Sequence, residues 1–458
     1  MARLRATPGV AAVEPDRVRT RVATEPPAAI LEQGDPLRRL QGHLADIRWT
    51  PPSGGAPPLV AVLDTGVDGG VPDLAGVLDT SAARSFAPGS DPLRDREGHG
   101  THVTGILAAG IGNGIGVTGV AHARILPVKI ADQTGSATTS SLVRGINYAV
   151  ARGARVINIS FGGGGRSALE QAAIDSAVRS GAVVVAAAGN TGQSGNRREY
   201  PGAYRHVVAV GAVDDAGAPL PVSTRGPQVA IAAPGLEVLS TAPPTPDGTG
   251  GYARRTGTSM AAAMVSGAAA RVIAARPFLT GAQVVAILTG SARDVGAPGP
   301  DPETGAGVLD VTAALAARAP SPDSAEPNDE PDQARRTKAL LTGTGARTAA
   351  TFGRVTPWSD PRDVYRVALT AGDDVTITVS EPPGADLDLV LWRPGTRRSH
   401  PDPVTAGRLV AARATGVTPG PLMTLTAAET GVHFVEVRTV TGGGRYRLTV
   451  ARAPAATG

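Results

Sequence analysis

Cysteine is absent from this chain and lysine is nearly so, with Lys129 and Lys338 the only two. Without thiols there is no disulfide framework, no thiolate nucleophile and no cysteine metal site. The 44 basic residues, almost all arginine, nearly balance 40 acidic ones, leaving a formal charge of +4. No basic run is dense enough to mark a nucleic-acid surface, so no nucleic-acid partner is expected. Aromatic residues make up only 3%, so the core has to be built from Ala, Val, Leu and Ile. No run of about 18 consecutive apolar residues occurs, and no membrane span is expected. The opening MARLRATPGVAAVEPD lacks the apolar stretch of roughly 7–15 residues that a signal peptide needs.

Glycine and proline, by contrast, are abundant, at 59 and 39 of 458 residues. That proportion stays below the roughly 25–30% that signals low complexity. The length leaves room for two or three domains of roughly 100–200 residues.

From Leu59 the chain alternates short apolar runs with helical stretches. The runs are LVAVLDTGV, RILPVKI, RVINISF, AVVVAAAGN and HVVAVGAV, β-branched and apolar on both faces, as buried parallel strands are. Between them lie THVTGILAAGI, SLVRGINYAVARG and ALEQAAIDSAVRSG, and the unit closes with the Ala-rich SMAAAMVSGAAARVIAARP and with GAQVVAILTGSA. This predicts an α/β domain with a mostly parallel sheet. Residues 318–333, RAPSPDSAEPNDEPDQ, read as a linker, and beyond it DVYRVALT, DVTITVS, DLDLVLW, GVHFVEVR and GRYRLTV alternate as the strands of a small all-β sandwich. The expected division is 1–34 as an N-terminal extension, 35–317 as the α/β domain, the linker, and 334–454 as the sandwich.

Three stretches carry chemistry. Asp64 ends the run VAVLD, where open α/β sheets bind ligands; alone it is as well read as a structural aspartate. His99 stands between two glycines in REGHGTHVTG. A metal site shared with His102 is one reading, but no acidic partner is evident on that helix, and His102 reads as a structural histidine. Ser259 in TGTSMAAAM sits in the first turn of the Ala-rich helix, where it is either a cap or a nucleophile beside N–H groups that favour a negative oxygen. Together they run in the order Asp, His, Ser, one of the chain orders in which this catalytic trio occurs on unrelated folds. Asn190 in AAAGN ends a buried strand with an amide able to donate to an oxyanion. Gly66, Gly98, Gly100, Gly189 and Gly257 flank these groups and are expected to leave room for a substrate chain.

DTGVD, GHGTHVTG, GTSMA and AAAGN, in this order and at these spacings, resemble the subtilisin-like serine proteases, from about Gly34 to Ala317. The resemblance implies a three-layer fold in which Asp64 orients His99, His99 is general base and then acid, Ser259 is the nucleophile, and Asn190 with the Ser259 N–H binds the oxyanion. It also implies that a protein or peptide substrate lies as an extra strand between Gly135-Ser136-Ala137 and Ser160-Phe161-Gly162. Ala188, Gly189 and Glu199 would belong to the specificity pocket. Glu199 stands where the family commonly has glycine; it either favours a basic substrate side chain from the pocket or points to solvent. Ala263 and Met264 replace the family's Pro and His, which should straighten the helix and leave the chemistry intact. The family's structural calcium would be held by Asp73, Asn113 and the carbonyls of Ile115 and Val117.

PGVAAVEPDRV resembles the last strand of an inhibitory propeptide, which implies either a reading frame that starts upstream or an intracellular protease with a vestigial pro-segment, and the Arg-rich RVRTRV at 17–22 reads as a self-cleavage region. Residues 324–452 resemble the bacterial pre-peptidase C-terminal domain, through AEPNDEPDQA and the strands above. There Asp386 and Asp388 share one strand face, as solvent-facing acids or a second ion site. The expectation is a secreted, monomeric endopeptidase made as a zymogen. The alternatives are a narrow processing protease, one form of which cleaves after basic residues, or a non-catalytic scaffold.

Overall fold

The computed structural model divides the chain into Met1–Gln33 and Gly34–Gly458. It describes residues 34–458 apart from 133–134, 245–249, 322–327, 359–360, 381–384, 398–409, 416–419, 442 and 455–458. The propeptide-like segment and the arginines at 17–22 therefore lie outside the described residues.

Seven strands form one sheet: β1 (Leu59–Asp64), β2 (Arg84–Ser85), β3 (Arg124–Lys129), β4 (Val156–Ile159), β5 (Val183–Ala187), β6 (Val207–Val213) and β7 (Val229–Pro234). Their order is β2-β3-β1-β4-β5-β6-β7 and every pairing is parallel. β1, β4, β5, β6 and β7 are buried along their whole length, which is why they read as continuous apolar runs. Side chains of β1 alternate between two cores. Val60 and Val62 join one with the Ala-rich helix, and Ala61 and Leu63 join the other. That alternation makes the unit three-layered.

The helices are α1 (Gly42–Asp46), α2 (His99–Ala108), α3 (Thr139–Ala151), α4 (Ala168–Arg179), α5 (Thr258–Ala275), α6 (Gly281–Gly290), α7 (Val311–Ala316) and α8 (Pro331–Ala334). α3 and α6 begin with capping boxes, Thr138 with Ser141 and Thr280 with Gln283, each satisfying N–H groups the helix cannot. α5 packs against α2 and β4–β7. It runs unbroken past Ala263 and Met264, both fully buried. By length and composition it is apolar enough to cross a membrane, yet 89% of it is buried in the core. Such close packing requires small residues; a Cβ on Gly267 would stand 2.7 Å from the Val120 Cβ.

A hairpin, β8 (Val238–Pro244) and β9 (Gly250–Arg255), lies beside α2. The C-terminal strands are β10 (Arg347–Val355), β11 (Arg362–Leu369), β12 (Asp374–Ser380), β13 (Asp386–Trp392), β14 (Val410–Ala414), β15 (Leu422–Thr426), β16 (Gly431–Thr441) and β17 (Gly444–Ala453). They form two antiparallel four-stranded sheets, β10-β17-β12-β15 and β11-β16-β13-β14. Alternate residues such as Ile377, Leu389 and Leu448 fill the space between them. Asp388 is not a solvent-facing acid. It is largely buried and paired with Arg438 at 2.8 Å, whereas Asp386 is only half-buried.

The acidic stretch read as a linker is anchored at its far end. Arg205 reaches Asp175 at 2.7 Å and Glu330 at 3.1 Å. His206 lies between Asp175 at 3.4 Å and Asp329 at 3.6 Å. Burial alone would depress its pKa, but the two aspartates outweigh that and hold it above the ordinary histidine value.

Candidate active site

Asp64 ends β1 at the point where the strand order reverses, with β3 on one side and β4 on the other. In open sheets this is where ligands bind. It is fully buried, and its Oδ1 accepts the Thr65 N–H at 2.8 Å. His99 opens α2 and its Nδ1 lies 2.7 Å from Asp64 Oδ1. A carboxylate there accepts from Nδ1–H, which leaves Nε2 as a bare acceptor. Burial alone would lower the His99 pKa, but the Asp64 charge and hydrogen bond, with Glu97 adding, raise it above the usual value. The ring meets Phe161 edge-on at 6.0 Å between centroids.

The loop before His99 is tied to this pair by a residue that sequence reasoning missed. Asp95 Oδ1 accepts from Thr65 Oγ1 and the Gly98 N–H, at 2.8 and 2.9 Å. Its Oδ2 accepts the Thr101 N–H and hydroxyl, at 2.8 and 2.7 Å. An aspartate four residues before the histidine was the available signal.

The glycines do not chiefly make room for substrate. A Cβ on Gly100 would lie 2.0 Å from the Gly66 carbonyl, and one on Gly189, at φ +113°, would lie 1.8 Å from Glu199 Oε2. They let the site's own groups approach one another.

Ser259 is not the helix cap. That position belongs to Gly257, and Ser259 Oγ donates to the Ser160 carbonyl at 3.1 Å. Ser160 Oγ donates in return to the Ser259 carbonyl at 3.2 Å. Asn190 lies beside it on the same pocket wall. Its Oδ1 accepts the Thr258 N–H and the Thr258 hydroxyl, each at 3.1 Å. A backbone donor on the oxygen fixes the amide orientation and leaves Nδ2 as the free donor. Thr258 was not singled out in the sequence; its place next to the serine was the only signal.

A pocket of about 200 Å³ opens at Ser259, bounded by Ser160, Gly162, Ala187, Gly189, Asn190 and Glu199 among others. Glu199 turns into it rather than to solvent. Its Oε2 accepts the Asn190 N–H at 2.9 Å, and the carboxylate lies between Gly189 and Gly162. Ala188 is not part of this wall. It is fully buried and its N–H bonds the Val210 carbonyl at 3.0 Å, so Ala187 lines the pocket instead. Gly135 and Ser136 are tied to Asp132, whose N–H donates to the Ser136 carbonyl at 3.0 Å and whose carbonyl accepts the Gly135 N–H at 3.2 Å.

His102 is a structural histidine. It is buried, its Nε2 faces the carbonyls of Val238 and Ala253 at 3.1 and 3.0 Å, and burial lowers its pKa to about 4. Asp73 is gathered with two of its three expected partners. Asn113 Nδ2 donates to it at 3.0 Å and the Val117 N–H at 2.8 Å. Ile115 is exposed, and its N–H bonds Asn113 Oδ1 at 2.8 Å. Asp35, unforeseen in the sequence, accepts from Gly112 N–H at 3.0 Å and the Thr118 hydroxyl at 2.5 Å in the same loop. Burial, and Asp35 beyond it, raise the Asp73 pKa against the pull of its hydrogen bonds. Among the described residues no group of three or more His, Cys, Asp or Glu forms a metal cluster.

The arrangement supplies a hydroxyl and a fixed amide donor on one pocket, and an imidazole whose Nδ1 is bonded to a buried carboxylate and whose ring meets Phe161, the residue after the Ser160 whose carbonyl holds the hydroxyl. A model of the subtilase family matches residues 55–307, more than half of the chain. Subtilisin E of Bacillus subtilis (strain 168) is 37% identical over 285 residues, covering 61% of this chain and 70% of that protein. Subtilisin of Bacillus pumilus is 41% identical over 229 residues, 49% of this chain and 80% of that protein. The thermostable alkaline protease of Halalkalibacterium halodurans is 39% identical over 241 residues, 52% and 63% respectively. With its matched length, these relatives and the parallel three-layer fold, the chain belongs to the subtilase family and is a subtilisin-like serine endopeptidase.

Proposed function

We propose that Ser259, His99 and Asp64 hydrolyse internal peptide bonds of proteins, with Asn190 as an oxyanion donor. The observation that carries this reading is the 2.7 Å bond between His99 Nδ1 and Asp64 Oδ1, with the His99 ring against Phe161, next to the Ser160 carbonyl that Ser259 Oγ bonds. Ser259 Oγ leaves the Ser160 carbonyl and attacks the substrate carbonyl while His99 Nε2 takes its proton. Asp64 keeps the imidazole in that tautomer and stabilises the imidazolium. The oxyanion is met by Asn190 Nδ2 and the Ser259 N–H; one such donor contributes about 3–4 kcal/mol to the transition state. His99 then protonates the leaving amine, and water hydrolyses the acyl-enzyme by the same path. The test is hydrolysis of casein by the natural protein and by Ser259→Ala. Loss in the variant is expected, and equal activity in both overturns the reading.

The Glu199 carboxylate between Gly162 and Gly189 favours a narrower reading over broad degradation. The residue just before the cleaved bond, P1, is then Arg or Lys, whose charge meets Glu199. By family resemblance the enzyme acts outside the cell, matures from a zymogen, and carries a pre-peptidase C-terminal-like domain at 334–454. Asp73, Asn113 and the carbonyls of Ile115 and Val117, with Asp35 beside them, would hold a structural calcium. Two nearby carboxylates suit a hard cation, while the groups that face Asp73 are the Asn113 Nδ2 and Val117 N–H donors. A fall in Tm on adding chelator supports the ion, and an unchanged Tm removes it.

A further inference from the structure

We propose that the edge of the α/β unit carrying Asp175, Arg205 and His206 is a docking surface for the chain's own C-terminal sandwich, which stays bound there after the link between the two is cut and is released in alkaline solution. Residues 328–330 belong to the sandwich. The Val364 N–H donates to the Asn328 carbonyl at 2.7 Å, and Ala334, at the end of α8, is buried with Val364, Val390, Trp392 and Phe434. Yet the side chains of Asp329 and Glu330 meet His206 at 3.6 Å and Arg205 at 3.1 Å. The receiving groups are fixed on their own side. Gln171 Nε2 donates to Asp175 Oδ1 at 2.8 Å and to the Arg205 carbonyl at 3.2 Å, and Arg205 Nη2 donates to Asp175 Oδ2 at 2.7 Å. None of Asp175, Arg205, His206, Asp329 and Glu330 has a side chain more than 19% exposed. Charge pairs this far out of water are costly to break one partner at a time. Trp358, from the sandwich side, packs against the larger core of the α/β unit and adds an apolar anchor. Arg205 and His206 precede β6, at the edge of the parallel sheet opposite the strand ends where Asp64 stands. Docking therefore does not engage the edge that holds the catalytic groups.

His206 makes this contact sensitive to pH. Facing it are Asp175 from α4, its neighbour Arg205, and Asp329 and Glu330 from the docked segment, with Arg362 of β11 and Glu436 of β16 beyond them. Protonated, the imidazole places a positive charge between Asp175 and Asp329. Neutral, it leaves those two carboxylates with the arginines alone to offset them. Burial would depress the His206 pKa, but both aspartates together hold it above the ordinary value. Release takes Asp329 away and removes part of that support. The docking energy from His206 is thus fully present below about pH 6.5 and is lost as pH rises through the raised value.

The test uses the full chain as Ser259→Ala, to prevent self-cleavage, with a site for a sequence-specific protease placed within 318–327. After the cut, association of the two parts is followed by size exclusion and by Kd from dilution, with circular dichroism as the check on folding. Co-elution is expected at about pH 6, and a Kd weaker by at least about tenfold at about pH 9.5, with the dichroism unchanged. His206→Gln and Asp329→Asn should each weaken binding at the lower pH and flatten its pH dependence. Trp358→Ala should weaken binding at both pH values and keep their ratio. Parts that separate at the lower pH overturn the docking surface. A Kd equal at both pH values, a pH dependence that survives in His206→Gln, or release that coincides with loss of the dichroism signal overturns the role of His206.

Discussion

Replacing Glu199 with glutamine isolates charge from shape at the P1 pocket. The glutamine oxygen still accepts the Asn190 N–H that Glu199 Oε2 holds at 2.9 Å, and the volume beside Gly162 and Gly189 is unchanged. What is lost is the charge facing a P1 guanidinium. Two unit charges about 4 Å apart interact by roughly 4 kcal/mol at an effective dielectric of 20. Glu199 is only half-buried, and both partners lose solvent when they meet, so a net value of about 2 kcal/mol is expected. That is roughly a thirtyfold fall in kcat/KM for P1 Arg. Leu at P1 should change little or improve. The assay is kcat/KM for Ala-Arg and Ala-Leu peptides in the natural protein and Glu199→Gln. If the Arg to Leu ratio differs less than about threefold between the two proteins, the pocket carboxylate does not select substrate.

Other outcomes follow from the same geometry. The raised His99 pKa means that the neutral base comes to predominate only above the ordinary histidine value, so kcat/KM should rise with pH along a limb centred above about 6.5; a limb below that value contradicts the Asp64 effect. Thr258→Val removes the hydroxyl that bonds Asn190 Oδ1 at 3.1 Å and should cost about tenfold in kcat, less than the roughly 10²–10³ for Asn190→Ala; equal losses would show that Thr258 does more than orient the amide. His206 has a raised pKa between Asp175 and Asp329. Its pairing energy is fully present below about pH 6.5 and is lost as pH rises through the raised value. The Tm deficit of His206→Gln should therefore be largest in acid and shrink in alkali, and a deficit that grows with pH refutes the ion-pair account.

The parallel sheet was legible in the sequence because strands buried on both faces are apolar at every position; LVAVLD and VVAVGAV carry that pattern undiluted. The β8–β9 hairpin was not: only Val238 and Leu239 of VLSTAPP are large apolar residues in a core, while Ser240 and Thr241 are buried through hydrogen bonds from their hydroxyls to the His102 and Thr101 carbonyls. Asp64, His99, Ser259 and Asn190 were legible because each stands at a strand or helix end among small residues. Their anchors were not. Asp95 and Thr258 act by hydrogen bonds to residues up to 69 positions away, and nothing local marks such a partner. The glycines misled for a related reason: sequence shows that space is made, not which group occupies it. At Gly189 the occupant is the Glu199 carboxylate.

In this mechanism Ser259 is a nucleophile activated by His99 and Asp64. Labelling the folded, matured protein with a fluorophosphonate and mapping the adduct by mass spectrometry tests it most directly. A single adduct on Ser259 is expected, absent in Ser259→Ala and greatly slowed in His99→Ala. An unlabelled natural protein, or an adduct on any other serine, contradicts it.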